Sequence, residues 1–196
     1  MQHYEGMFLL HNRDPGGTEE EPAPTHEEVV KQLIERIEGT QSYSAVWANR
    51  KLSYAVKGNQ TGTYVLTYFS IDGQALPEMD REVSLSDRVL RHMVIALDEL
   101  PGKDAIPGPL NDSGRVASRR FDGDTVEVKT AEGEEEQKKV WELLDYKNPQ
   151  VLRRMISAQG KLFSRVRSGL HAKSQRRLRR AVHRARNMAL LPFMGR

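Results

Sequence analysis

"YSAVWANRKLSYAVKGNQTGTYVLTYFSI" (residues 43–71) holds two runs of branched and aromatic residues on either side of a polar, glycine-bearing break, "KGNQTG". Such runs form strands because branched and aromatic side chains pack well on a pleated surface. Gly and Asn supply the backbone freedom that a turn needs. Two strands across a short break pair as an antiparallel hairpin. Upstream of it, Thr25 stands three residues before Glu28, the capping-box pattern in which each side chain satisfies a backbone donor of the other. Val29, Val30, Leu33, Ile34 and Ile37 then repeat at helical spacing, and Gly39 closes the helix. Before it, "HYEGMFLL" (3–10) has strand character and "RDPGGTEEEPAP" (13–24) is a loop by composition. Downstream, "LPEMDREVSL" (76–85) is a short helix opened by Pro77, and "RVLRHMVIAL" (88–97) returns to strand. The order β-α-β-β-α-β is the ferredoxin-like arrangement, an antiparallel four-stranded sheet with helices on one face. Its other face is left to solvent or to a partner.

Beyond residue 100 the character of the chain changes twice. Residues 101–140 include "PGKDAIPGPLNDSG" and "DGDTVEVKTAEGEEEQKK", turn-rich and charged, and read as a flexible linker. Only "TVEVKT" alternates like a strand. Residues 141–196 then hold 14 Lys and Arg against 2 acidic residues, whereas residues 1–140 are net acidic, within an overall charge of +3. A chain polarised in this way has one part suited to a polyanion and another that is not. The basic part is helical. Asn148 can cap and Pro149 suits a first helical position, Val151, Leu152, Met155 and Ile156 form an apolar face, and Gly160 can take the left-handed conformation past the helix end. A second helix is expected from about Ala172 to Ala189, stopped by "LLPF" at Pro192. In it Leu178, Ala181, Val182, Ala185 and Ala189 form a narrow apolar stripe, and six arginines between Arg176 and Arg186 fill the remaining circumference. The expected fold class is α+β: a ferredoxin-like domain over 1–100, a linker over 101–140 and a small, basic, all-α domain over 141–196.

Several function classes are disfavoured. Charged residues make up 29% of the chain and no apolar run approaches the ~18–20 residues of a spanning helix, so no membrane partner is expected. The first residues lack the pattern of a secretory signal or transit peptide, and a cytoplasmic location fits. With no cysteine there is no disulfide framework, thiol nucleophile or cysteine-ligated zinc. His3, His11, His26, His92, His171 and His183 are scattered without the spacing of a zinc enzyme, and "DGDT" (122–125) lacks the alternation of a calcium loop. No phosphate-cradling glycine loop or nucleophile elbow is present, so neither cofactor, metal nor catalytic residue is expected.

Both ends of the chain resemble known families. Residues 3–99 resemble the bacterial small-subunit ribosomal protein six family through "HYEGMFLL", "VWANRKLSYAV" and "LSDRVLRHMVIAL". The loop at 13–24 and Gly6 depart from that family's pattern. Residues 145–193 resemble the small-subunit ribosomal protein eighteen family through "DYKNPQVLRRMISAQGKLFSR" and "SGLHAKSQRRLRRAVHRARNMALLPF". The resemblance implies two partners that sit side by side on the platform of the small ribosomal subunit, here joined in one chain. Small-subunit rRNA, neighbouring ribosomal proteins and the chain's own two modules, docked on each other, are the partners it implies. It also points to Trp47, Arg50 and Tyr54, with the strand carrying Arg88 and Arg91, as the contact between modules.

Arg153, Arg154, Lys161, Arg165, Arg167, Lys173, Arg176, Arg177, Arg180, Arg184 and Arg186 are the expected RNA contacts. Each cation near a phosphate gains a charge-assisted bond and releases condensed counterions, and almost no nearby acid competes for it. A non-ribosomal RNA- or DNA-binding regulator is the alternative. Against it, the connector from Gly160 to Leu170 exceeds the tight turn of 3–4 residues in a helix-turn-helix.

Overall fold

The computed structural model describes residues 1–12, 24–102, 106, 115–116, 125–129 and 135–194. The chain forms two compact units, Met1–Pro109 and Leu110–Arg196. The expected loop over 13–24 and the turn-rich stretch that opens the expected linker fall almost wholly outside the described residues.

The first unit is built from β1 (Gln2–Leu10), α1 (His26–Arg36), β2 (Thr40–Val56), β3 (Asn59–Ile71), a single 3-10 turn at Gly73–Ala75, α2 (Leu76–Leu85) and β4 (Val89–Leu97). The strands order as β2-β3-β1-β4, and each neighbouring pair is antiparallel. This is the expected ferredoxin-like sheet. The capping box forms as read: the Thr25 side chain accepts from the Glu28 backbone N–H, and the Glu28 carboxylate accepts from the Thr25 N–H at 2.7 Å. The end of α1 differs. Glu38, not Gly39, takes the left-handed conformation (φ 58°). Gly39 instead donates to Ile34 O at 2.9 Å, and a Cβ there would come within 2.7 Å of the Ile34 side chain. Close approach, not turn conformation, demands glycine at that position.

The hairpin is tighter than the break suggested. Val56 pairs with Asn59 across a two-residue turn in which Lys57 and Gly58 both have positive φ, 47° and 80°. That geometry matches the right-handed twist of the flanking strands. On the helix-covered face, Tyr4, Phe8 and Leu10 of β1 and Val65, Phe69 and Ile71 of β3 pack with Val30, Leu33 and Ile34 of α1 and Met79 and Val83 of α2. Gly6 has its reason here, because a Cβ would lie within 2.8–3.0 Å of the Phe8, Phe69 and Thr67 side chains. The period-2 alternation of a half-covered sheet is absent from the central strands: every residue of Tyr4–Leu10 and of Gly62–Ile71 is buried.

The second unit opens with β5 (Arg115–Val116), β6 (Thr125–Lys129) and β7 (Glu135–Lys139), an antiparallel three-stranded sheet in that order. These strands lie within the stretch expected to be a flexible linker. The alternation of "TVEVKT" marked β6, but its partners are too short and too charged to declare themselves; ladder pairing makes them strands. Then follow α3 (Val140–Leu143), α4 (Pro149–Arg154), α5 (Arg165–Ser168) and α6 (Ala172–Asn187). Their core includes Leu144, Tyr146, Leu152, Met155, Leu170, Leu178, Val182, Met188 and Leu191.

Three local expectations change in this unit. The Asn148 side chain does not cap α4 but donates to Leu143 O at 3.3 Å. The first helix stops at Arg154, and Gly160 (φ 83°) closes a turn behind the Ile156–Leu162 bridge instead of ending the helix. Finally, α6 ends at Asn187, five residues before Pro192. Ala189 turns left-handed (φ 55°), and Leu190 N–H reaches back to Ala185 O at 2.9 Å, a Schellman-type closure with alanine in the usual glycine place.

Candidate nucleic-acid interface

An α-helix turns once every 3.6 residues, so the positions along α6 sort by face. Leu178, Ala181, Val182 and Ala185 form the buried stripe as expected, and Ala189 beyond the helix end is buried with them. Lys173, Arg176 and Arg180 recur on the opposite face, exposed. Arg177 and Arg184 lie along one flank, with Arg179 and Arg186 along the other. α6 contains no acidic residue. In the whole of 141–196 the acids are Glu142 and Asp145, and Asp145 is held by Lys147 at 3.5 Å. The ridge therefore presents its charge outward without a local counterion of the protein's own on the same helix.

Of the other expected RNA contacts, Arg153 and Arg154 close the last turn of α4, Lys161 follows the Gly160 turn, and Arg165 and Arg167 belong to α5; all are exposed. The Arg167 guanidinium lies over the Phe163 ring, 4.0 Å from its centroid. Arg186 differs from the rest. Half-exposed like Arg184, it donates from Nε to Pro192 O at 3.2 Å and from its terminal nitrogen to Gly160 O, and faces the Phe193 ring. Its guanidinium joins the end of α6 to a turn 26 residues earlier.

Two residues not singled out from the sequence hold the loop before α6. Gln175 donates to Phe163 O at 2.8 Å and accepts from the Ser168 hydroxyl at 2.9 Å, and Ser168 is buried. A lone Gln on a basic helix gave no sign of this, because its partners are contributed by the tertiary fold. His171 occupies the N-cap of α6 without a side-chain cap bond.

In the first unit four of the five expected contact residues gather around one side chain. Trp47 packs edge-on against Tyr64 with ring centroids 6.0 Å apart, and Arg91 donates to the Tyr54 hydroxyl at 2.6 Å. Arg50, Tyr54 and Arg91 are all close enough to act electrostatically on Tyr64. Burial pushes the Tyr64 phenol well above its ordinary value, while Arg50 and Arg91 pull it the other way, so the hydroxyl stays protonated. Alternation places this cluster on the sheet face opposite the helices, where Leu9 pairs with Tyr64 and Arg91, and Met7 with Leu66 and Met93. Arg88 stands apart: it lines a groove of about 530 Å³ on the helix side, with Leu33, Arg36, Glu82 and Leu85.

The histidines are used locally. His3 bonds to the Ser70 hydroxyl, His26 to His11 O, and His92 to Asp80 at 2.8 Å. Among the described residues, no group of three or more His, Asp or Glu is arranged to hold a metal ion, and no helix is long and apolar enough to cross a membrane.

Residues 3–96 match the family model for ribosomal protein S6, and residues 142–191 match that for ribosomal protein S18. The small ribosomal subunit protein bS6 of Clostridium botulinum (strain 657 / Type Ba4) is 36% identical over 95 residues, covering 48% of this chain and 97% of that protein. The bS6 of Clostridium acetobutylicum is 33% identical over 99 residues, covering 50% and 100%. For the bS6 of Rhodopirellula baltica the identity is 34% over 99 residues, and the match spans 65% of that protein's length. The crystal structure of 30S ribosomal protein S6 from Thermotoga maritima aligns over 49% of this chain and 87% of that one, at 26% identity and a TM-score of 0.39.

Proposed function

From the premise that the chain belongs to the ribosomal protein S6 family and also carries a ribosomal protein S18 region, we propose that it binds small-subunit rRNA as a fused heterodimer. Membership of these families makes it a structural protein of the small ribosomal subunit, not an enzyme, located in the cytoplasmic ribosome. The finer reading is that the S6-like module (1–100) and the S18-like module (141–196) dock on each other across the stretch 101–140. The pair then binds rRNA on the subunit platform, beside neighbouring ribosomal proteins, and supports assembly.

The observation that carries this reading is the outward basic ridge of α6, Lys173, Arg176 and Arg180, on a helix without acids. A duplex of RNA hides its deep groove, so recognition rests on phosphate, 2′-hydroxyl and shape, to which such a ridge is suited. Trp47 and Tyr64, with Arg50, Tyr54 and Arg91, put aromatic and cationic groups on the sheet face proposed to meet the second module. Tethering makes docking intramolecular, at an effective concentration set by the length and stiffness of a connection that includes the β5–β7 sheet.

The test is binding of the intact chain to a central-domain fragment of small-subunit rRNA at several salt concentrations. A sample cleaved within 101–140 and a scrambled RNA run beside it. Tight binding specific to the fragment and weakened by cleavage is the expected result. Equal binding to every RNA, unaffected by cleavage, would leave only a charged chain and sink the heterodimer reading.

A further inference from the structure

Most of the basic residues of the second unit are suited to phosphate, but one is arranged differently. The Arg167 guanidinium carbon lies over the Phe163 ring, 4.0 Å from its centroid, well inside the ~6 Å at which a cation is drawn to an aromatic face. Arg167 is exposed, and Val166 beside it is 85% exposed, an apolar side chain left in solvent next to a stacked cation.

The two partners are also held in place. Phe163 N–H donates to Met155 O at 3.0 Å, and its carbonyl accepts from the Gln175 amide at 2.8 Å. Buried Ser168 fixes the end of α5 through its hydroxyl bonds to Gln175 and to Arg165 O, and Gly169 (φ 74°) closes the turn. Phe163 and Arg167 are thus spaced i, i+4 on a segment pinned to α6 from both sides. A phosphate contact requires none of this, because a flexible cation in solution serves it. A planar ligand does, since stacking depends on a flat surface whose orientation is already set.

We propose that Phe163 and Arg167, with Val166 at their edge, form a stacking platform for an unpaired nucleobase, distinct from the phosphate-facing ridge of α6. The base lies on the free face of the Arg167 guanidinium, which Phe163 supports from beneath. Unstacked bases in loops and bulges are recognised on aromatic and guanidinium planes in this way. The proposal rests on the RNA-binding reading above and assigns to that surface a second ligand chemistry.

The experiment compares two RNA hairpins with the same stem, one fully paired and one with a single bulged 2-aminopurine. Each is titrated with the full-length chain and with Arg167→Lys, Phe163→Leu and Arg180→Gln. Wild type is expected to prefer the bulged hairpin by roughly 5- to 100-fold, the range of base stacking on a protein plane, and to quench the 2-aminopurine. Arg167→Lys keeps the charge but loses the plane, so it should lose both the preference for the bulge and the quenching. Arg180→Gln should weaken both hairpins alike and keep the preference. Phe163→Leu should behave as Arg167→Lys, with circular dichroism showing that the variant is folded. Equal binding of both hairpins by wild type, or an Arg167→Lys protein that still prefers and quenches the bulge, overturns the platform but leaves RNA binding standing. Failure to bind either hairpin overturns both.

Discussion

The two units are held together by different means. In the first, order comes from backbone pairing over long sequence distances: β1 pairs with β3 from Gln2↔Ile71 to Leu10↔Thr63, and with β4 from His3↔Leu97 onward. In the second, α3, α4 and α5 are four to six residues long, far below the ~12–15 at which an isolated helix holds its own. Side chains that reach backbone carbonyls across the loops do much of the joining there: Asn148 to Leu143, Gln175 to Phe163, Arg186 to Gly160 and Pro192. These polar clamps add to an apolar core that includes Tyr146, Leu152, Val182 and Leu191.

Four substitutions break or sharpen that contrast, each read by peptide-resolved hydrogen exchange of the full chain, with urea melts where one unit unfolds first. The largest effect is expected for Phe8→Ala, which empties a fully buried site between β1 and α1 and should cost the first unit about 3–5 kcal/mol. Protection should fall across β1, β3 and β4 together, since they share one ladder. Loss confined to β1 would refute the cooperative picture. Gln175→Ala should cost the second unit about 1–3 kcal/mol by stranding the Phe163 carbonyl and leaving the Ser168 hydroxyl only its longer bond to Arg165 O. Faster exchange confined to 155–175 is the expected signature, and an unchanged profile would mean the clamp is idle. Thr25→Ala removes one half of the capping box and should cost about 1 kcal/mol, seen as fraying in the first turn of α1. Smallest in stability is Arg180→Gln, expected within about 0.5 kcal/mol because the side chain is exposed on the ridge. Its effect belongs to RNA: the slope of log affinity against log salt should become shallower by about 0.7–0.9 for each phosphate that the variant no longer neutralises. A slope equal to wild type would remove Arg180 from the interface.

How far the sequence disclosed all this depended on where each constraint lay. The capping box at Thr25 and Glu28, the strand order and the apolar stripe of α6 were legible, because each is a local pattern with a fixed period or spacing. The end of α6 was not. Pro192 is the visible stop, yet the helix ends earlier because burial of Met188, Leu190 and Leu191 draws Ala189 into a left-handed turn. Gly39 reads as a helix stop and Gly6 as a departure from the family pattern, yet both are places where Ile34 and Phe8 leave no room for a Cβ. Arg186 shows the same limit within the candidate site. On a wheel it is one arginine among six, and only the Gly160 and Pro192 carbonyls, distant in sequence or beyond the helix end, turn it inward. Ser168 and Gln175 sit inside the motif that carried the resemblance, but spacing alone did not separate residues that build the surface from residues that present it.

The position of β1 has a consequence for the order of events during synthesis. It is made before both of its sheet partners, yet it occupies an interior place between β3 and β4. Its last partner is not complete until Leu97. At roughly 5–20 residues per second, a nascent chain carries the "MFLL" segment for roughly 5–20 s before both neighbours exist. Until β3 is complete at Ile71 this apolar strand has two open edges, and until Leu97 it keeps one, available to any other chain nearby, while the basic module has not begun to be translated. The stretch most in need of cover during synthesis is therefore residues 7–10, at a stage when the growing polypeptide is still net acidic and the arginines of α6 do not yet exist.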